Sequence, residues 1–214
     1  MFLHAFMHPQ IYLSGEEHDT HKYHLAEIRL IKRLTKEDKI SAVSFEWEFD
    51  KYQSLLEAYD IHAPSWDFGT KTPVVHIAKK RGLDTLASDY RDTLAGHVVR
   101  ALIAEDERGT LDKEKLEHLL APLTIMGDFS GSLYASYLQN TQDIKDLSTF
   151  FLTLYDEERT TFTVNRALSY LRNKGGAVLH LPGIDHVLPL ERKFRERGCD
   201  VSIINLLSID KETP

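Results

Sequence analysis

Two short turns, Gly15-Glu16-Glu17-His18 and Gly183-Ile184-Asp185-His186, lie near opposite ends of a 214-residue chain, and each directly follows a short apolar run that reads as a buried strand. If both strands belong to one parallel sheet, their carboxyl ends share one edge, the edge along which open α/β sheets build their sites. Glycine suits both positions, because a strand that turns sharply into a loop or helix often needs a residue without a Cβ. Two imidazoles separated by most of the sequence then converge.

The rest of the pattern is compatible with such a sheet. Residues 11–14 form a β-type run, and 21–34 carry Leu25, Ile28, Leu30, Ile31 and Leu34 at helical spacing. Residues 40–45 resume as a strand running into Glu46, and a strand, helix, strand unit normally makes a crossover between parallel strands. Helices are predicted over 51–59 and 74–81, with Pro64, Gly69 and Pro73 marking the loop between them, and a third, weak strand over 84–88. Residues 93–151 read as mostly helical, an insertion or cap within a single domain spanning 1–214. An amphipathic helix over 156–173 stops at Gly175-Gly176. A strand over 177–181 leads into the second turn, a helix over 188–197 closes at Gly198, and a last strand covers 201–207. The expected fold class is α/β, a mostly parallel central sheet flanked by helices.

Composition narrows the function classes. With 42 % apolar and 28 % charged residues the chain is that of a globular domain. A net charge of -7 argues against nucleic acid or an anionic membrane surface as partner. Cys199 is the single cysteine, which excludes an intramolecular disulfide and a structural Cys-type zinc site. No run approaches transmembrane length, and residues 1–9 lack the basic segment and long apolar core of a secretory signal. A cytoplasmic location is expected, with a small-molecule or peptide substrate as partner. The sequence carries no signal for an oligomeric state.

The chemistry-bearing residues cluster at the ends of the expected strands. His18 and His186 close the two turns, and Glu46 follows the second strand in the same way. A carboxylate beside two neutral imidazoles is a ligand set for a divalent metal such as zinc, manganese or cobalt. Asp19, His21 and His24 add further ligands or outer partners, and Glu16 or Glu17 is positioned to move a proton as general base. Arg159 either clamps an anionic group or is a solvated charge in the run Asp156-Glu157-Glu158-Arg159. Asp89 and Arg91 are either substrate-binding residues at a strand end or a surface ion pair. His180, inside a strand, reads as a core residue.

In Gly15-Glu16-Glu17-His18-Asp19 with the later His24, then Phe45-Glu46, then Gly183-Ile184-Asp185-His186, the chain resembles the TraB/PrgY, Tiki, ChaN-like and erythromycin esterase-like superfamily. The first turn is most similar to the ChaN-type signature, and the paired turns with an intervening strand-end Glu resemble the TraB and Tiki pattern. Asp89-Tyr90-Arg91 falls where those proteins tend to carry an Asp-Arg pair, and Glu158-Arg159 matches the start of their penultimate helix. Three features depart from the pattern: Thr160 replaces the usual Asn, Leu188-Pro189 replaces a glycine, and no lipoprotein signal is present.

The resemblance implies a function class. Its Tiki-like members are regarded as metal-dependent proteases, its erythromycin esterase-like members as hydrolases, its ChaN-like members as haem or iron binders and its TraB-like members as regulators of peptide signals. The leading expectation is a metal-dependent hydrolase of peptide or ester bonds, its ion held by His18, Glu46 and His186, with Arg159 and Arg91 orienting substrate or developing charge. The alternatives are a metal-free hydrolase with a His general base, a haem- or iron-binding protein without turnover, and a non-catalytic regulatory peptide-binding module.

Overall fold

The computed structural model describes residues 8–17, 21–64, 66–89, 98, 101, 102, 104, 105, 107–125 and 144–211. In chain order the elements are β1 (Gln10–Leu13), α1 (His21–Lys36), β2 (Ala42–Glu48), α2 (Phe49–Ala58), α3 (Thr72–Lys80), β3 (Asp84–Asp89), α4 (Lys113–Ile125), α5 (Ile144–Lys174), β4 (Ala177–Leu181), α6 (Val187–Glu196) and β5 (Asp200–Ile203). Short 3-10 turns cover Gly69–Lys71, Ile184–His186 and Leu206–Lys211. The chain divides into two compact units, one formed by Met1–Asp89 with Thr160–Pro214 and the other by Tyr90–Arg159.

The first unit holds a five-stranded, wholly parallel sheet in the order β3-β2-β4-β1-β5. Parallel strands covered on both faces are apolar at successive positions, and β4, Ala177-Val178-Leu179-His180-Leu181, is buried at every residue. On one face Tyr23, Leu30, Ile31 and Leu34 of α1 and Val74 and Val75 of α3 pack on Val43, Phe45, Leu179 and Leu181. On the other, Val164, Ala167 and Leu171 of α5 and Val187, Leu190 and Phe194 of α6 cover Ile11, Leu13, Ala42, Leu86 and Val178. The edge strand β3 is closed by a side chain. Gln53 of α2 accepts from Ala87 N–H at 2.9 Å and donates to the Thr85 carbonyl at 3.4 Å, so its amide does what a sixth strand would do.

Local chemistry explains several boundaries. Pro73 and Pro189 both sit in the first turn of their helices, where a missing N–H costs nothing. Gly176 ends the α5 connection at φ +81°, and a Cβ there would lie 2.3 Å from Ser41 Oγ, so both conformation and space demand glycine. In the second unit, Asp112 caps α4 by accepting from Lys115 N–H at 2.8 Å. Glu105 accepts from Thr110 Oγ1 at 2.7 Å and from Lys115 Nζ at 2.8 Å.

Three elements differ most from their expected extents. The second strand, expected over 40–45, runs on to Glu48, so Glu46 lies within it rather than after it. The last strand stops at Ile203 rather than running to 207. Asn205 is the reason: its side chain accepts from Leu207 N–H at 3.0 Å, a local turn that leads into the 3-10 segment. The helix expected from 156 begins at Ile144 and runs for 31 residues. The acidic run at 156–158 imitates the charge bias of a helix start, but an acidic stretch inside a helix looks the same in sequence. Among the described residues no helix is long and apolar enough to cross a membrane.

The two Gly-x-x-His turns pack against each other. A Cβ on Gly15 would meet Val187 Cγ2 at 2.5 Å and the Ile184 backbone at 3.0 Å. Gly15→Ala is therefore expected to destabilise the fold by about 1–3 kcal/mol, as overpacking does. Adding Val187→Ala should recover part of the loss, since one of the two clashes is removed. Denaturant midpoints of the single and double variants check this.

Candidate functional site

The pairing of β1 with β4 does not stop where the strands end. Ser14 N–H donates to the His180 carbonyl at 3.1 Å, Glu16 N–H to the Pro182 carbonyl at 3.0 Å, and Ile184 N–H to the Glu16 carbonyl at 2.9 Å. Glu16 and Gly183 form an isolated parallel bridge. The first turn is thus hydrogen-bonded through Glu16 to the second, at the carboxyl edge between β1 and β4.

Two polar clusters grow from this seam. The first contains Glu46, which extends from β2, and His186, which ends the 3-10 turn before α6. Gly183 N–H donates to Glu46 Oε2 at 2.5 Å. Glu46 Oε1 lies 3.6 Å from His186 Nε2, and the imidazole is about a third exposed while the carboxylate is buried. Residues 140 positions apart in sequence are thereby brought side by side, as the two strand-end motifs implied. Asp89, at the end of β3, is buried and pairs in register with Glu48. His180 of β4 lies beneath, also buried. Burial drives its imidazole down to about 4, against the pull of the Glu46 and Asp89 charges.

The second cluster is more completely buried. Lys71, from the turn before α3, donates to Glu16 Oε2 and to both carboxylate oxygens of Glu27, at 2.7 and 2.9 Å. His24 Nε2 is 3.8 Å from Glu16 Oε2. Glu16, His24 and Glu27 offer three donor atoms within 4.8 Å of one another, a set that suits a metal in principle. Here the Lys71 ammonium already occupies the place of the positive charge. Burial pushes the Glu27 carboxyl up to about 8, with Lys71 pulling the other way and Glu16 adding to the rise. The raised Glu27 carboxyl reduces the charge that the dry environment around Lys71 and Glu16 must hold.

The expected site residues are therefore distributed as follows. Glu46 and His186 come together. Glu16 is buried and committed to Lys71, whereas Glu17 is exposed and 3.9 Å from Lys22. His24 joins the second cluster. Arg159 is half-buried on α5, within the second unit. His18, Asp19 and Arg91 lie outside the described residues, as does the side chain of His21. Lys71, Glu27 and His180 were not singled out as site residues in the sequence. Glu27 did carry a signal, since with Tyr23, Leu30 and Leu34 it lies on the apolar stripe of α1, where a carboxylate needs a partner.

No family model matches the chain, and no curated protein does. A solved structure described as cofacial haem binding to ChaN of Campylobacter jejuni superposes with a TM-score of 0.48 at 14 % identity, over 91 % of this chain and 80 % of that one. A likeness of this degree transfers no ligand or activity to this chain.

The buried cluster predicts a pH dependence. The folded-state pKa of Glu27 lies above its ordinary value of 4.5, so the native state holds that proton more tightly than the unfolded chain. Its contribution is complete below 4.5 and is lost as pH rises towards about 8. Glu27→Gln should flatten the stability profile across that window, measured by denaturant midpoints. Lys71→Met, which leaves two buried carboxyls without their cation, should cost about 3–5 kcal/mol.

Proposed function

We propose that the protein is a hydrolase of peptide or ester bonds that works at the carboxyl edge of its sheet with a divalent cation, zinc, manganese or cobalt, held by Glu46 and His186 together with His18. The observation that carries this reading is the Glu46–His186 pair. Its 3.6 Å separation is longer than a hydrogen bond and close to the spacing of two ligands on one small ion with bonds of about 2.0–2.2 Å. The pair is prepared for such a role, because Gly183 N–H occupies Oε2 and leaves Oε1 facing the imidazole. When bound, the ion supplies charge to polarise a carbonyl and to acidify water.

The chain's own residues do the remainder. Glu46 and His186 provide donors of the right chemical type, and the Gly183 amide keeps the carboxylate from turning away. Ile184 and Leu188, both more than half exposed, flank His186 in sequence and give the site an apolar lip. A substrate with an apolar group beside the scissile bond suits that lip. Asp89 is assigned to binding a small-molecule or peptide substrate, and Glu17 to proton transfer. Cys199 is a buried free thiol, which suits the cytoplasmic location included in this proposal.

Elemental analysis, an ultraviolet-visible spectrum and an ester and peptide panel test the reading together. Stoichiometric divalent metal is expected in the wild type. Glu46→Gln and His186→Ala should lose metal and hydrolysis together with little change in thermal stability for His186→Ala, since residues at an exposed edge seldom support the core. A Soret band would replace this reading by haem carriage, and hydrolysis without metal by a His general base.

A further inference from the structure

His180 sits on β4 opposite Ser44 of β2 in the parallel register, fully buried, on the sheet face covered by α5 and α6. Its Nδ1 is 3.0 Å from Ser44 Oγ. Proton positions follow from the hydroxyls around it. Ser88 Oγ donates to the Phe45 carbonyl at 2.9 Å, and that commits the only proton Ser88 has. Ser44 Oγ, 2.9 Å from Ser88 Oγ, must then be the donor of that bond. With its own proton used, Ser44 accepts from His180. The imidazole therefore carries hydrogen on Nδ1 and a bare lone pair on Nε2. Thr163 Oγ1 of α5 donates to the Ser88 carbonyl at 2.7 Å and anchors the column from the other side.

The far nitrogen is the unexplained one. Nε2 of His180 is buried and has no hydrogen-bond partner among the described residues. A buried acceptor in that state calls for a ligand, a water or an ion that completes it. The charges of Glu46, Asp89 and His186 all act on this ring, and Glu46 follows Ser44 two residues further along β2. Strand alternation, with Phe45 and Trp47 stacked on the opposite face, turns Ser44 and Glu46 to the side on which His180 lies.

We propose that His180 is a binding residue of the Glu46–His186 site, whose Nε2 accepts a hydrogen bond from a proton-bearing group held at that pair, a water when no substrate is present. The inference rests on the assignment of Glu46 and His186 given above. An imidazole fixed as the Nδ1–H tautomer by a hydroxyl relay can only accept at Nε2, so it orients its guest by direction rather than by charge. It takes water, an alcohol or an amide N–H, and it rejects a group that has no proton to offer.

Long-range nitrogen–proton NMR of the full ¹⁵N-labelled chain, with His180 assigned by loss of its signals in His180→Gln, tests this with Zn²⁺ alone as probe. The expected spectrum shows the Nδ1–H tautomer, and Zn²⁺ moves the Nε2 resonance of His180 together with the ring of His186 while His180 Nδ1 stays in place. An Nε2–H tautomer overturns the proposal. So does a His180 that ignores Zn²⁺ while His186 responds, and the Glu46–His186 reading then survives. If neither ring responds, that reading fails and the inference falls with it. Variants give a second measure: Gln places an acceptor where Nε2 was, whereas Asn reaches only as far as Nδ1. His180→Asn should weaken Zn²⁺ binding by about 10-fold or more, within the range for losing a partner around a metal's ligands, and His180→Gln by clearly less. Equal affinity of His180→Asn and wild type overturns the proposal.

Discussion

Backbone pairing that continues past the ends of β1 and β4 is the constraint on which the site depends. Within the sheet, parallel strands exchange evenly spaced bonds, and here the exchange extends through Ser14, Glu16 and Ile184 into both Gly-x-x-His turns. Two consequences follow from simple geometry. The glycine at position 15 has no room for a side chain, because the partner turn lies against its α-carbon. The amide of Gly183 is held facing Glu46, so a loop amide becomes a fixed part of the polar edge. Function-bearing loops normally gain precision from a rigid scaffold beneath them; these two also gain it from each other.

On either side of the seam, polar groups are treated differently. The Glu16, Glu27 and Lys71 group is enclosed: an ammonium donates to two carboxyls, and burial raises the Glu27 carboxyl. Such a buried group contributes more to fixing one arrangement than to net stability, since desolvation offsets much of the attraction. The Glu46 and His186 group is less enclosed, with an imidazole partly in solvent and 3.6 Å between the two side chains. Closed polar clusters serve the fold, and open ones with fixed donors are where chemistry is possible. That contrast ties the Glu16 side chain to Lys71 beside the first turn and sets Glu46 beside His186.

Much of the fold was legible because parallel sheets write themselves plainly. The runs at 11–13, 42–45 and 177–181 are mostly apolar, and glycines mark the exits of the first and last, so the α/β class and its parallel sheet follow from the sequence. The Glu46–His186 meeting followed from the shared carboxyl edge alone. What could not be read was long-range side-chain pairing. Lys71 lies in a loop whose sequence, Gly-Thr-Lys, looks like any solvated turn, and nothing local says that it reaches a carboxylate 44 residues away. His180 looked like core because it is core; its polarity becomes meaningful only when β2 supplies Ser44 as neighbour. The early stop of the last strand depended on one asparagine whose side chain competes with the ladder, a choice that sequence leaves open at every Asn.

Continuity between the two clusters follows from the bonds themselves. Lys71 holds the Glu16 carboxylate, the Glu16 backbone bonds Pro182 and Ile184, and the Gly183 amide between them holds Glu46, which faces His186. Each link is a hydrogen bond or ion pair with its donor and acceptor already committed, so a shift at one end has few places to be absorbed. The turn preceding α3 is thereby tied to the position of Glu46 through four contacts. Such a path transmits position rather than charge, because Lys71 neutralises its own end. The alignment of the polar edge accordingly depends on the closed cluster as much as on the sheet, and it explains why a chain would bury two carboxyls and an ammonium beside a seam that apolar packing could have filled.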